Sequence, residues 1–242
     1  MRLQYISNFT DFDPFMHEPD VEIVYSGNSS EIENADMVII PGSKNTVKDL
    51  MFLKEARLDE SIKQAFSKGI HIMGMCGGYQ MLGKKIYDPH GIESPHKEVD
   101  GIGLLNIETT FNRDKITSRV EAEILGISKK TNPRPLLKGY EIHMGTSSGD
   151  IGLFKLRRLS SNSSLILDGS INSNCWGTYI HGIFENDSFR RGIINSIREQ
   201  RKLPPVDSTI KYSEMKESAI DNLADIVKQN LDMDFINKVI GL

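Results

Sequence analysis

The sequence predicts an α/β fold: a parallel sheet core with helices on both faces, carrying an antiparallel extension. Three observations predict it. Short apolar runs alternate with helical stretches in the first part of the chain, the pattern of a doubly wound parallel sheet. One run, Asp36-Met37-Val38-Ile39-Ile40, is almost continuously apolar, as expected for a strand covered on both faces. From about Gly101 onward the segments favour strands and lack long helices between them, which adds antiparallel strands to the parallel core.

Element by element, Arg2–Ser7 and Val21–Tyr25 read as strands, and the run at 36–40 ends at the turn Pro41-Gly42-Ser43. Val47–Lys68 has helical spacing, with Leu50, Leu53, Leu58, Ile62 and Phe66 facing inward and Gly69 as the stop. Ile70–Met73 is the next strand, followed by a cysteine turn and a helix from about Gly77 to Leu82. Gly101–Thr110, Arg119–Leu125, Gly139–Met144 and Ile151–Leu156 supply the extension, and Asn174–Ile180 is a further strand ending at His181-Gly182. The tail carries a helical stripe of Ile220, Leu223, Ile226 and Val227, then a short helix expected to pack Phe235 and Ile236 back on the domain. A single domain over residues 1–242 is expected, with 204–242 as a helical tail packed on it and Leu203-Pro204-Pro205 as the linker.

The bulk numbers narrow the function classes. At 38% hydrophobic and 26% charged, the 242 residues form an ordinary globular composition without low-complexity tracts. A formal charge of −4 offers no electrostatic case for nucleic acid or an anionic membrane surface. No apolar stretch reaches the length of a membrane span, and Met1–Ile6 lacks the layout of a signal peptide. Two cysteines do not make a disulfide framework, so a cytoplasmic setting is expected.

The chemistry centres on Gly74-Met75-Cys76-Gly77-Gly78-Tyr79-Gln80. A thiol between glycines, placed where a buried strand turns into a helix, suits a strained and accessible nucleophile. The helix N-terminus favours its thiolate. Such a nucleophile needs a base and donors for an oxyanion. His181 is the candidate base, because it ends a strand and precedes a glycine. Gly42 and Ser43, at the end of another buried strand, could offer backbone N–H groups beside that of Gly77, although an ordinary turn fits the local residues equally well. In open parallel sheets such strand ends share one crevice.

Other motifs carry less. Pro41-Gly42-Ser43-Lys44-Asn45-Thr46 lacks the spacing of a phosphate loop, so no nucleotide site is visible. The histidines and cysteines have no metal-ligand spacing. Cys175, next to Trp176, reads as core. Gly139-Tyr140-Glu141-Ile142-His143-Met144-Gly145 leaves two readings open: Tyr140 and His143 line the substrate crevice, or they are satisfied structural polar groups.

Taken together these segments resemble the class I glutamine amidotransferases of the cobyric acid synthase type. The resemblance rests on Ile6–Pro14, Pro41–Thr46, the Cys76 elbow, Asp88–Glu93, Gly139–Gly145, Gly177–Phe184 and Asn222–Asp225, in that order. It implies a flavodoxin-like amidotransferase core and glutamine hydrolysis. Cys76 would attack the side-chain amide, His181 would shuttle protons, and Gln80 would help hold the substrate. It also implies an ATP-dependent corrinoid synthetase as partner, with ATP and magnesium belonging to that absent N-terminal half and no cofactor in this chain. The ammonia would amidate carboxylates of adenosylcobyrinic acid diamide in cobalamin biosynthesis.

One departure bears on the catalytic group. Many class I members carry His-x-Glu, and position 183 here is Ile. The expectation is therefore a Cys76–His181 dyad, with a backbone carbonyl or Glu185 orienting the ring. Two alternatives differ in outcome: an amidotransferase component serving a cell-wall lipid precursor, or an inactive scaffold that only binds a partner.

Overall fold

The computed structural model describes residues 1–125, 136–159, 165–207 and 210–241. In chain order the first part holds β1 (Ile6–Ser7), α1 (Asp13–Met16), α2 (Ser29–Asn34), β2 (Met37–Ile40), β3 (Gly42–Ser43), α3 (Thr46–Glu55), α4 (Leu58–Ser67), β4 (His71–Met75) and α5 (Gly77–Leu82). The second part holds β5 (Lys85–Tyr87), β6 (Glu98–Asp100), β7 (Ile107–Ile124), β8 (Leu137–Gly149), β9 (Phe154–Arg158), β10 (Ile166–Asp168), β11 (Ser170–Asn172), β12 (Cys175–Thr178) and β13 (Ile180–His181). Helices α6 (Asp187–Gln200), α7 (Tyr212–Asn230) and α8 (Met233–Ile240) complete the chain.

The core sheet has the order β11-β12-β4-β2, with β2, β4 and β12 parallel and β11 antiparallel on the edge. Its strands are short and apolar, and Ile40, Ile72 and Met73 are fully buried. Side-chain alternation assigns its two faces. Gly74 and Gly177 face α5: a Cβ at Gly74 would lie 2.6 Å from the Gly78 carbonyl oxygen, and one at Gly177 would lie 2.4 Å from the Tyr79 ring. Trp176, one residue before Gly177, points the other way, edge-on to Phe189 of α6 at 6.1 Å. Helices therefore cover both faces, as the alternating pattern predicts.

The extension is a seven-stranded, largely antiparallel sheet built around the long β7–β8 hairpin, whose register shifts between Thr110 and Lys115. Strand β7 starts only at Ile107, not at Gly101. The residues before it run along the end of α5, where the N–H groups of Ile102, Gly103 and Leu104 donate to the Met81, Gly83 and Leu82 carbonyls. Those bonds satisfy helix-end acceptors that would otherwise lack partners.

Other expectations are corrected. Val21–Tyr25 is not a strand, and of Arg2–Ser7 only Ile6–Ser7 is one, paired antiparallel with β3. The helix read over Val47–Lys68 is two, because Arg57 adopts a left-handed conformation with φ 58°. The strand read over Asn174–Ile180 is also two. Buried Asp168 accepts from the Thr178 hydroxyl and, at 3.2 Å, from the Tyr179 N–H. Beyond that bend the chain leaves the parallel sheet, and β13 pairs with β8 in the extension.

The tail is helical, but its apolar stripe does not pack on the domain. No described residue of α7 or α8 is buried, and Phe235 is 63% exposed.

Candidate active site

Cys76 sits at the junction of β4 and α5 with φ 50° and ψ −107°. A residue with a side chain held there stores roughly 1–3 kcal/mol of strain, which the surroundings must over-determine. Close-packed glycines and one hydrogen bond do so. A Cβ at Gly78 would lie 1.9 Å from the Ile40 carbonyl oxygen, so only glycine lets α5 approach the end of β2. Gly74 meets the first turn of α5 in the same manner. The Cys76 N–H donates to the Thr178 carbonyl at 2.9 Å, tying the elbow to the end of β12. The thiol is almost buried, with Sγ 3.7 Å from the Ile142 carbonyl oxygen.

His181 reaches the same place from the extension. In the β13–β8 ladder it pairs with Tyr140, and the two rings stack at 5.2 Å with 19° between planes. Its Nδ1 lies 2.7 Å from Asp11 Oδ2, while Asp11 Oδ1 accepts the Gly182 N–H at 2.8 Å. Its Nε2 is buried without a hydrogen bond and is the nitrogen left to serve the thiol. Burial lowers the affinity of the imidazole for a proton. The Asp11 carboxylate and the neighbouring Cys76 outweigh that effect and raise the pKa to about 9. The arrangement favours the imidazolium form of His181 beside the thiol.

Asp11 corrects the dyad expectation. The group on Nδ1 is neither a backbone carbonyl nor Glu185, whose carboxylate binds Lys216. It is a carboxylate from a short 3₁₀ turn, Phe9–Phe12, far earlier in the chain. That turn is held from both sides. Asn8, left-handed at φ 50°, starts it and places its amide 3.2 Å from His181 Nδ1 and 3.4 Å from the Tyr140 hydroxyl. Phe12 and Phe15 then pack on Phe184, and Glu18 binds Arg190 and Arg191, each at 2.7 Å.

The oxyanion candidates separate. Ser43 and Gly77 adjoin, since a Cβ on Gly77 would lie 3.0 Å from Ser43 N. The Lys44 N–H donates to the Tyr5 carbonyl, so Ile6↔Ser43 is a non-hydrogen-bonded pair of the ladder and the Ser43 N–H points away from β1. By the same alternation Ser7↔Gly42 is a hydrogen-bonded pair, and the ladder uses the Gly42 N–H. Gly42 instead gives His181 room: a Cβ there would lie 3.5 Å from the ring's Cε1. Fully buried Asp49 fixes this corner, accepting from Ser43 Oγ at 2.5 Å, Tyr5 N at 3.1 Å and Gln4 N at 3.0 Å.

Gln80 and His143 do not face the crevice. The Gln80 amide is buried and saturated: Nε2 donates to the Met144 carbonyl at 3.0 Å and to the Tyr179 hydroxyl at 3.1 Å, and Oε1 accepts from Thr46 Oγ1 at 3.3 Å. It braces α3, α5 and β8 behind the thiol. His143 lies on the opposite face of β8 from Tyr140, stacked on Tyr179 at 3.8 Å, with Nδ1 3.2 Å from the Gly145 carbonyl oxygen. Tyr140 is at the site, one-third exposed. Cys175 is buried in β12, and burial pushes its thiol up, away from reactivity. Among the described residues no group of three or more His, Cys, Asp and Glu could hold a metal ion, and no helix is long and apolar enough to cross a membrane.

Solved structures share this fold. A glutamine amidotransferase aligns with 80% of this chain and 95% of its own at 12% identity and a TM-score of 0.54. A GMP synthase component from Thermoplasma acidophilum aligns with 83% of this chain and 95% of its own at 15% identity and a TM-score of 0.51. The fold is that of the class I glutamine amidotransferases. The family model of the CobB/CobQ-like glutamine amidotransferase domain matches residues 1–189, and the chain belongs to that family. The cobyric acid synthase of Thermodesulfovibrio yellowstonii is 46% identical over the whole chain, which covers 48% of that relative. Those of Clostridium botulinum strain Kyoto and Syntrophobacter fumaroxidans are 43% and 40% identical, again over the whole chain and 49% of each relative. The chain thus spans about half the length of these curated relatives.

Proposed function

We propose that the chain is the glutaminase half of a cobyric acid synthase. It hydrolyses glutamine at Cys76 and supplies ammonia to an ATP-dependent synthetase that amidates carboxylates of adenosylcobyrinic acid diamide. The observation that carries the chemistry is the convergence of Cys76, His181 and Asp11 from three separate parts of the chain. The full-length relatives carry the choice of acceptor.

The steps follow from the geometry. The Cys76 thiolate attacks the side-chain amide carbon of glutamine, and the oxyanion forms beside the N–H groups of Gly77 and Ser43. His181 Nε2 gives its proton to the departing nitrogen, and ammonia leaves a glutamyl thioester. His181, now neutral, takes a proton from water as it attacks the thioester. The adduct then expels the Cys76 thiolate and glutamic acid, whose carboxyl proton passes to solvent, so the thiolate and the imidazolium are restored together. Asp11 holds Nδ1 protonated throughout, which keeps Nε2 as the working nitrogen. Tyr140 stacks on the ring and restricts its rotation.

The test is Cys76→Ala, assayed for glutamate release from glutamine with circular dichroism as the check on folding. Release should be abolished with the fold intact; unchanged release would overturn the assignment. Supplying a synthetase with either the corrinoid diamide or a cell-wall lipid precursor, and weighing the product, separates the two acceptors.

A further inference from the structure

The C-terminal tail is anchored to the domain at its start. The Tyr212 N–H donates to Asp187 Oδ1 at 3.1 Å, its ring lies 5.7 Å from that of His17, and Lys216 binds Glu185 at 3.0 Å. Beyond this anchor the helices expose a run of large apolar side chains. Ile220 is 53% exposed and Leu223 61%, and Ile226, Val227, Leu231 and Phe235 continue the run. On α7 the spacing of three and four residues places them on one helical face. Single exposed apolar residues are ordinary, whereas several on one helical face mark an interaction surface.

The relatives indicate the occupant. The amidotransferase family match ends at residue 189, before the tail. The cobyric acid synthases nevertheless align over the whole chain, tail included, and continue for about as much sequence again. The tail therefore accompanies chains that carry the further half and lies outside the amidotransferase domain proper. We infer that the apolar face of α7 and α8 docks on the half of a cobyric acid synthase that this chain does not span, clamping the ammonia-producing half to its partner. The inference rests on the proposed reading of the chain as half of a cobyric acid synthase, whereas its test reads the exposed face and not the thiol chemistry.

Amide hydrogen exchange over residues 212–240 tests it. The isolated chain is compared with a full-length chimera in which it replaces the aligned half of the Thermodesulfovibrio yellowstonii relative. Exchange over α7 and α8 should slow by about tenfold or more in the chimera. A chimera carrying Ile220→Ser, Leu223→Ser and Phe235→Ser should lose that protection. Equal exchange in the isolated chain and the chimera overturns the inference. Protection in the isolated chain that grows with its concentration also overturns it, because a second copy would then be the occupant. Should the chimera not fold, the same comparison in the full-length relative, with and without serines at its aligned positions, decides the matter.

Discussion

His181 and His143 are both buried histidines beside a carboxylate on neighbouring strands, yet only His181 lies beside the Cys76 thiol. Asp11 directs one oxygen to His181 Nδ1 and the other to the adjoining Gly182 N–H. Glu141, 3.5 Å from His143 Nε2, is bound more closely by Arg158, at 2.7 Å. Burial acts to raise the Glu141 pKa, but His143 and Arg158 together outweigh it and hold the carboxyl below its ordinary value. His143 is also stacked on Tyr179, behind the sheet. A carboxylate without a competing cation can orient a histidine, whereas one already bound to arginine serves to stabilise a sheet. The strand's two-residue period determines which histidine meets the thiol.

The largest effect that would test this contrast is His181→Asn. Turnover should fall about 10²–10⁴-fold, the usual share of general acid–base catalysis. His143→Asn should leave kcat within about threefold and lower stability instead, by roughly 1–3 kcal/mol for a disrupted buried polar group. Comparable losses of turnover in two folded variants would erase the distinction.

Asp11→Asn comes next, with kcat down about 10²-fold or more through loss of the correct tautomer. It should also bring the His181 pKa well below 9, read by ring-proton NMR. The sign follows from linkage. A histidine raised from 6.5 to about 9 contributes stability that is fully present below 6.5 and lost as pH rises through 9. Asp11→Asn should therefore flatten the decline in stability between those pH values, and an unchanged profile would remove Asp11 from its role.

Asp49→Asn should lower kcat about 10- to 100-fold with little change in KM, since it displaces Ser43 and β1 without touching the substrate. An increase in KM alone would mean that Ser43 binds glutamine rather than positions the oxyanion. The smallest effect concerns Glu93, whose carboxylate accepts the Val47 N–H at 3.3 Å at the start of α3. Burial pushes its pKa up to about 7, so stability should fall as pH rises from 4.5 to 7. Glu93→Gln should abolish that slope, shifting Tm at pH 7 upward by a few degrees, about 2–4 °C per kcal/mol.

The elbow was legible because its signal is local. Glycines around Cys76, an apolar strand before it and a helix after it lie close together in the chain. His181 was legible from the glycine that follows it. Asp11 was not, although its segment was among those carrying the resemblance. An Asp in Asn8-Phe9-Thr10-Asp11 resembles any turn acid, and its partner lies on a strand near the other end of the chain. The placement of Gln80 and His143 among protein partners was not legible for a related reason. A polar side chain near a site reads the same whether it faces the crevice or a buried acceptor.

The sequence by itself determined the α/β class, the parallel core, the glycine-flanked turn at Cys76, the strand-end position of His181, and the amphipathic character of the tail. Periodicity and turn chemistry act over a few residues, so they are written locally. The tertiary structure decided that the strand after Cys175 bends at Tyr179 into a second sheet, that this bend carries His181 to Asp11, and that the tail's apolar face remains uncovered. Each depends on which distant groups compete for the same hydrogen bonds or the same buried surface, and only the closed fold brings those competitors together.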